Sequence, residues 1–455
     1  MLAILLPQPG EVSAQEPPLT GLTLGRAVDF ALAHHPALRA QMFAEDASRE
    51  QVGVARTAYL PQVDLTLQVS AGSGNVLRGP LFPSPNIPAV SGPPTGRDLG
   101  DVAVGSLVGV GASWDVLGLV SGMAQVDAAL AAQAQSHAAT QAHRLEVAYS
   151  AADQFLDLLA RQEIARAARA SVERARVFAT IVKALADQAL RSGADASRAA
   201  AELALASTLL VRAEQAEAMS RAGLARALGA ADREVTIAAG LLSEVPPANL
   251  QQGAAQHPLL DQANAGVQAA QARRHAVSLQ YLPRLDVIAA LWARGSGLTS
   301  GAVEPSPGAG LVPDTPNMVA GLVLTWPALD VIKTRARTRV ESALVQQASA
   351  ARDDVAQAIE SQVRLARDTL AAARRVAVNT AVELTAARAA ESQATARYRA
   401  GLTPVVEVAE AQRLLAQAES DDAAGRVHIW RALLLLSRAV GDLSPFLGTL
   451  TRGGR

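Results

Sequence analysis

The 455-residue chain is 50% apolar and 18% charged, and its 41 basic and 42 acidic side chains leave a formal charge of −1. A nucleic-acid binder would carry a basic excess, so that class is set aside. Aromatic residues make up 3% and cysteine is absent, which leaves packing to Ala, Leu and Val and removes disulfides, thiolate metal sites, cysteine nucleophiles and thioether lipid anchors.

Residues 1–20 read as a truncated leader or a disordered Pro-rich terminus. Leu2 to Leu6 and Val12-Ser13-Ala14 suggest a leader, but its basic start and full apolar core are missing. The chain contains no uncharged apolar run of about 18 residues, so no transmembrane helix is expected. A transmembrane barrel needs only about 10 alternating residues per strand. Thr23 is placed to cap a helix whose Leu24, Ala27, Val28, Ala31 and Leu32 share one face.

After Pro61 the period changes to two. Val63, Leu65, Leu67 and Val69 alternate with Asp64, Thr66, Gln68 and Ser70, predicting a strand over about 62–72. A Gly/Pro-rich loop follows from Ser73 to Gly100. A second strand spans about 101–114, with Val102, Val104, Val108, Val110, Ala112 and Trp114 on one face and Ser106 interrupting it. Residues 117–229 then lose almost all proline and become rich in helix formers, broken once at Gly193.

The same order recurs. His257-Pro258 lies 222 residues after His35-Pro36, and Tyr281-Leu282-Pro283 lies 222 after Tyr59-Leu60-Pro61. Trp326 and Gly441 lie 212 residues after Trp114 and Gly229, and Arg399-Ala400-Gly401 answers Arg191-Ser192-Gly193. Landmarks in one order imply a duplicated unit: a first repeat at 21–229, a linker at 230–255, a second repeat at 256–441 and a tail at 442–455. The second repeat carries strands at about 284–294 and 317–327. Alternation in the first of these is disturbed by Ile288 and Trp292, which share a face with Asp286 and Ala290. A helical hairpin at 329–441 turns at Gly401-Leu402-Thr403-Pro404, and its heptad-like seam runs through Ile359, Val363, Ala366, Leu370, Ala373 and Ala377. Arms of about 70 residues would make rods of roughly 100 Å, too long for a globule.

Four two-faced strands fit either a membrane barrel or surface hairpins packed on helices. If they lie in lipid, four cannot close a barrel, so copies must share one: two give eight strands with a plugged interior, three give twelve with room for a pore.

Leu24-Gly25-Arg26-Ala27-Val28, the two His-Pro and Tyr-Leu-Pro landmarks, the Arg-x-Gly tips and Leu436-Ser437-Arg438-Ala439-Val440-Gly441 together resemble the TolC-type outer-membrane efflux proteins, from about Leu22 to Gly441. The resemblance implies a mainly α protein with a membrane β-barrel part. It would be a homotrimer sharing a twelve-stranded barrel in outer-membrane lipid on a long α-helical periplasmic barrel. It implies an exit duct for a tripartite efflux pump or type I secretion system, docking a periplasmic adaptor and an inner-membrane transporter at the helical tips. The gate would be formed by Glu407 and Glu410, where the family usually has Asp, with six carboxylates per trimer in a cation-attracting ring. Tyr398 matches a latching tyrosine, but its usual Arg and Asp partners correspond to Thr403 and Ala199, so the latch is either absent or rebuilt with Arg198. The tips implied to contact the adaptor are Gly193 and Gly401 with Arg191, Leu402 and Thr403. Trp114 and Trp326 would sit in the interfacial belt. The competing expectation is a soluble periplasmic coiled-coil adaptor or scaffold.

No enzyme chemistry is legible. The seven histidines, His34, His35, His137, His143, His257, His275 and His428, show no metal spacing. Neither Lys183 nor Lys333 follows a Gly-rich loop, and no G-x-S-x-G elbow occurs. No cofactor or metal is expected.

Overall fold

The computed structural model describes residues 19–73, 102–238, 257–299, 302–303, 308–326 and 329–452. The expected leader, the Gly/Pro loop over residues 74–101 and the linker residues 239–256 lie outside them. In the first half the elements are β1 (Leu19–Leu22), α1 (Leu24–His34), α2 (Pro36–Arg56), β2 (Gln62–Ser73), β3 (Val102–Asp115), α3 (Gly118–Asp187), α4 (Gly193–Ala227) and β4 (Val235–Ile237). The second half holds α5 (Pro258–Ser278), β5 (Arg284–Ser296), β6 (Leu298–Thr299), β7 (Ala302–Val303), β8 (Thr315–Thr325), α6 (Asp330–Arg399), α7 (Val405–Val440) and α8 (Ser444–Arg452). The repeat is visible in lengths: α2 and α5 have 21 residues each, α3 and α6 have 70 each. No described helix is long and apolar enough to cross a membrane.

The chain divides into two compact units, one of residues 1–47, 134–266 and 349–455, the other of residues 48–133 and 267–348. The second unit holds the main sheet. Its order is β2-β3-β5-β8, antiparallel throughout, so β2 and β8 are open edges. Register carries an apolar row across all four strands, Leu65–Val110–Leu291–Met318, and these side chains are 81%, 43%, 61% and 78% exposed. The opposite face carries Thr66–Gly109–Trp292–Asn317. A Cβ on Gly109 would lie 2.5 Å from the Trp292 Cβ. The residue that disturbs the alternation of β5 therefore stands over a gap that only glycine leaves in β3. At the base of the sheet Asp115 turns the chain into α3: its carboxylate accepts the Gly118 and Leu285 N–H groups at 2.8 and 3.2 Å and the Arg284 Nε at 3.2 Å.

The first unit is built on helix packing. Thr23 caps α1, its hydroxyl accepting the Arg26 N–H at 3.4 Å, and Leu24, Ala27, Val28 and Ala31 are buried. β1 pairs in parallel with β4. Phe155, Leu156 and Leu158 of α3, Leu224 of α4 and Leu433 and Leu434 of α7 form the core, while fully buried Ala151 and Ala152 let backbones approach closely. The C-terminal segment contributes to this core, because Phe446 of α8 is fully buried, edge-on to Trp430 with ring centroids 6.1 Å apart. Three ion-pair sites join α3 to α7: Arg438 with Glu146 at 2.9 Å, Arg431 with Asp153 at 2.8 Å and Asp157 at 3.2 Å, and Arg174 with Glu419 at 2.6 Å. The N-termini of α2 and α5 are capped alike: Nδ1 of His35 accepts the Ala37 N–H at 3.3 Å, and Nδ1 of His257 accepts the Leu259 N–H at 3.2 Å.

Candidate gate at the hairpin tips

The two hairpin tips are built on the same frame, four residues out of the alignment expected from sequence. Helices α3 and α6 begin at Gly118 and Asp330, and α4 and α7 begin at Gly193 and Val405, so each pair is 212 residues apart. That spacing makes Ala189, not Gly193, the counterpart of Gly401. Both adopt left-handed backbone, with φ of 59° and 78°. Gly193 is instead the first residue of α4, behind the N-cap Ser192, whose hydroxyl accepts the Asp195 N–H at 3.2 Å. The match between the Arg-Ser-Gly and Arg-Ala-Gly triplets is thus not structural. On the same frame Leu190 answers Leu402, and both are exposed, at 65% and 70%. Sequence reading missed Leu190; counting from the helix starts would have found it.

Beneath the tips one apolar cluster joins both hairpins: Phe178, Val182, Ala199, Ala394, Tyr398, Val405, Val408 and Ala411. Tyr398 is 1% exposed and meets Phe178 edge-on at 5.3 Å between ring centroids. Its sequence-expected partner, Arg198, is exposed. The residue that reaches it is Arg191, whose guanidinium carbon lies 4.8 Å from the centre of the Tyr398 ring and whose Nη2 donates to the Tyr398 carbonyl at 3.1 Å. Arg191 thereby straps the first tip to the last turn of α6. Burial raises the Tyr398 phenol pKa against the opposing effect of the Arg191 cation, and Asp195 adds to the rise. The Tyr398 hydroxyl and the buried Thr403 hydroxyl have no partner among the described residues. Beside Tyr398 opens a cavity of about 410 Å³ lined by Phe178, Ile181, Arg174, Glu391 and Thr395 among others.

Glu407 and Glu410 are exposed on α7. Glu407 lies 3.5 Å from Arg397, a surface pair worth at most about 1 kcal/mol. Glu410 lies near enough to Arg413 to favour its charged form, while Arg413 itself is held by Glu202 of α4, with Nε donating at 3.0 Å. That bridge between α4 and α7 was invisible in sequence, its partners being 211 residues apart. Trp114, near the end of β3, donates Nε1–H to the Tyr59 carbonyl at 3.2 Å, and Trp326 follows β8, 62% exposed.

A family model described as outer membrane efflux protein matches residues 27–230 and 249–442. The chain belongs to the outer membrane efflux protein family. No curated protein matches it by sequence. Solved structures with the same fold include a membrane protein from Pseudomonas aeruginosa, at 18% identity over 96% of this chain and 97% of that one, TM-score 0.75. VceC from Vibrio cholerae is 16% identical over 92% of this chain and 96% of its own, TM-score 0.72. The Campylobacter jejuni CmeC outer membrane channel is 14% identical over 97% and 94%, TM-score 0.74. As an outer membrane efflux protein, the chain is a transport protein of the outer membrane that extends into the periplasm, in a family of channels rather than enzymes. The expectation of a soluble adaptor or scaffold is thereby overturned.

Proposed function

We propose that this outer membrane efflux protein is a passive trimeric exit duct for a tripartite efflux pump or type I secretion system, gated at its hairpin tips. The observation that carries the reading is the open sheet. Leu65, Val110, Leu291 and Met318 present an exposed apolar row, while β2 and β8 offer unpaired edges. Unpaired backbone groups cannot be left in hydrocarbon, so β8 of one copy must meet β2 of the next. Three copies give twelve strands around a pore lined by the glycine-rich face of β3; two would leave a plugged interior.

The duplication supplies a template for the helical contacts between copies. Within the chain, α3 is tied to α7 by Arg431 with Asp153 and Asp157. The residues 212 earlier than Arg431 and 212 later than Asp153 are Met219 on α4 and Leu365 on α6, and these are 69% and 62% exposed. Val211, counterpart of the buried Ala423, is likewise 64% exposed. Repeating the α3–α7 contact as α6–α4 between copies buries these apolar side chains and closes a ring. In this reading Leu190 and Leu402 present apolar tips to a periplasmic adaptor, which in turn links the duct to an inner-membrane transporter, and Glu407 and Glu410 line the constriction.

The cysteine-free chain makes the test direct. Cysteines replacing Met219 and Leu365 together, treated with a short bis-maleimide, are expected to give dimer and trimer bands on denaturing gels, and the unheated wild-type chain is expected to run as a compact heat-modifiable trimer. A chain that stays monomeric in both assays overturns the duct.

A further inference from the structure

The joint between α5 and the start of α6 holds a groove of about 700 Å³, lined by Ser278, Tyr281, Thr334, Arg335, Thr338 and Arg339. The duplication provides an internal comparison. The positions corresponding to Thr334, Arg335, Thr338 and Arg339 in the first half are Gly122, Met123, Val126 and Asp127. The first-half positions carry no cation: a Cβ on Gly122 would meet the Tyr59 ring at 3.5 Å, Val126 is 7% exposed and Met123 is 51% exposed. In the second half the same frame carries two hydroxyls and two guanidinium groups. Among the described residues neither Arg335 nor Arg339 makes an ion pair, and Lys333 and Arg337 on the same two turns add positive charge, Arg337 donating to Gln280 at 3.2 Å.

The segment that leads into the groove's arginines is apolar. Leu322 and Leu324 of β8, then Trp326, Leu329 and Ile332, are 70%, 67%, 62%, 85% and 72% exposed, so exposed apolar side chains precede the arginines along the chain. This order along the chain, exposed apolar side chains and then two cations with hydroxyls, suits a lipid held at its headgroup. We propose that the groove binds a single anionic phospholipid of the inner leaflet of the outer membrane, its phosphate taken by Arg335 and Arg339 and its chains lying along Ile332, Leu329 and Trp326. The proposal rests on the reading that the four strands lie in that membrane. Arginine suits the task because its planar fork gives two parallel hydrogen bonds to phosphate oxygens. The first-half joint, with Met123 and Asp127, retains no such lipid, so three lipids are expected per trimer rather than six.

The test is native mass spectrometry of the full chain in neutral detergent after incubation with phosphatidylglycerol or phosphatidylcholine. Retention of up to three phosphatidylglycerols on the trimer is expected, with phosphatidylcholine lost. Arg335→Gln with Arg339→Gln should weaken phosphatidylglycerol binding about tenfold or more, and Arg273→Gln with Arg274→Gln, which removes the same charge outside the groove, should leave it unchanged. Equal retention of both lipids, equal loss in both double variants, or full displacement by millimolar inorganic phosphate overturns the proposal; the last outcome would make the groove a site for free phosphate. Trimer mass is read in the same spectrum: an intact trimer without lipid preference sinks the lipid site alone, whereas a monomer sinks the duct.

Discussion

Gly441 sits directly on His257. With φ of 89°, it closes α7 where an added Cβ would lie 3.0 Å from the His257 Cα and 2.9 Å from the Pro258 Cδ. The first half repeats the lock: a Cβ added to Gly229, also at positive φ, would lie 3.0 Å from the His35 Cα and 2.8 Å from the Pro36 Cδ. Each hairpin therefore ends against the cap of the helix that leads into the strands of its own repeat, which explains why His-Pro and Gly recur together. Gly441→Ala should cost about 2–4 kcal/mol from left-handed strain plus overpacking. Gly25→Ala, in α1 with nothing within 4 Å, should fall within about 1 kcal/mol of wild type and on the stabilising side. The temperature at which the heat-resistant gel band converts to monomer measures both.

The histidine caps predict an acid sensitivity. Burial lowers the pKa of His35. Burial also lowers that of His257, with Arg438 adding to the effect and the ring's hydrogen bond to the Arg438 backbone and the nearby Asp261 opposing it. His428 is lowered by burial and then by Arg431. The unfolded chain takes up protons below about pH 6.5 that the folded chain refuses, so this stability is complete above about 6.5 and is lost as pH falls toward the lowered folded values. Replacing His35 and His257 by Gln should flatten the dependence of melting temperature between about pH 7 and 5; an unchanged slope would assign it elsewhere.

Arg431 holds Asp153 through two hydrogen bonds and Asp157 through a third, and Asp157 also accepts from the Ser220 hydroxyl at 2.8 Å. Arg431→Ala leaves the part-buried Asp153 carboxylate without its cation and should destabilise by about 1–3 kcal/mol, less than a fully buried pair because the Arg431 side chain is 34% exposed. Adding Asp153→Asn to Arg431→Ala should cost less than the sum of the two single changes, since the second removes a charge the first has orphaned. Additive losses in chemical denaturation would show that the pair does not act as a unit.

If Arg191 is the strap of the closed tips, Arg191→Ala should raise single-channel conductance in planar bilayers, and Arg191→Lys should raise it less, keeping the charge but not the flat stacking on Tyr398. Glu407→Ala with Glu410→Ala should instead lower cation selectivity while leaving the Arg191 effect intact. Selectivity unchanged by that pair would remove both carboxylates from the constriction.

Ala189 carries left-handed strain at the first tip that Gly401 avoids at the second. Ala189→Gly should therefore stabilise the chain by about 1 kcal/mol, read as a higher conversion temperature; destabilisation would mean that the methyl group packs.

The sequence by itself determined what repeats locally. Alternation over Val63 to Val69 and the proline-poor stretches set strand and helix, because side-chain direction has period two or 3.6 whatever surrounds it. The order of His-Pro, Trp and Gly declared the duplication, and with it the family. Only the tertiary structure decided pairings between residues far apart. It chose Arg191 over Arg198 for Tyr398, set Ala189 rather than Gly193 opposite Gly401, put Trp292 over Gly109, and joined Arg413 to Glu202. Charge and shape at such places are matched across about two hundred residues of chain, and no local period records which distant backbone will leave the gap.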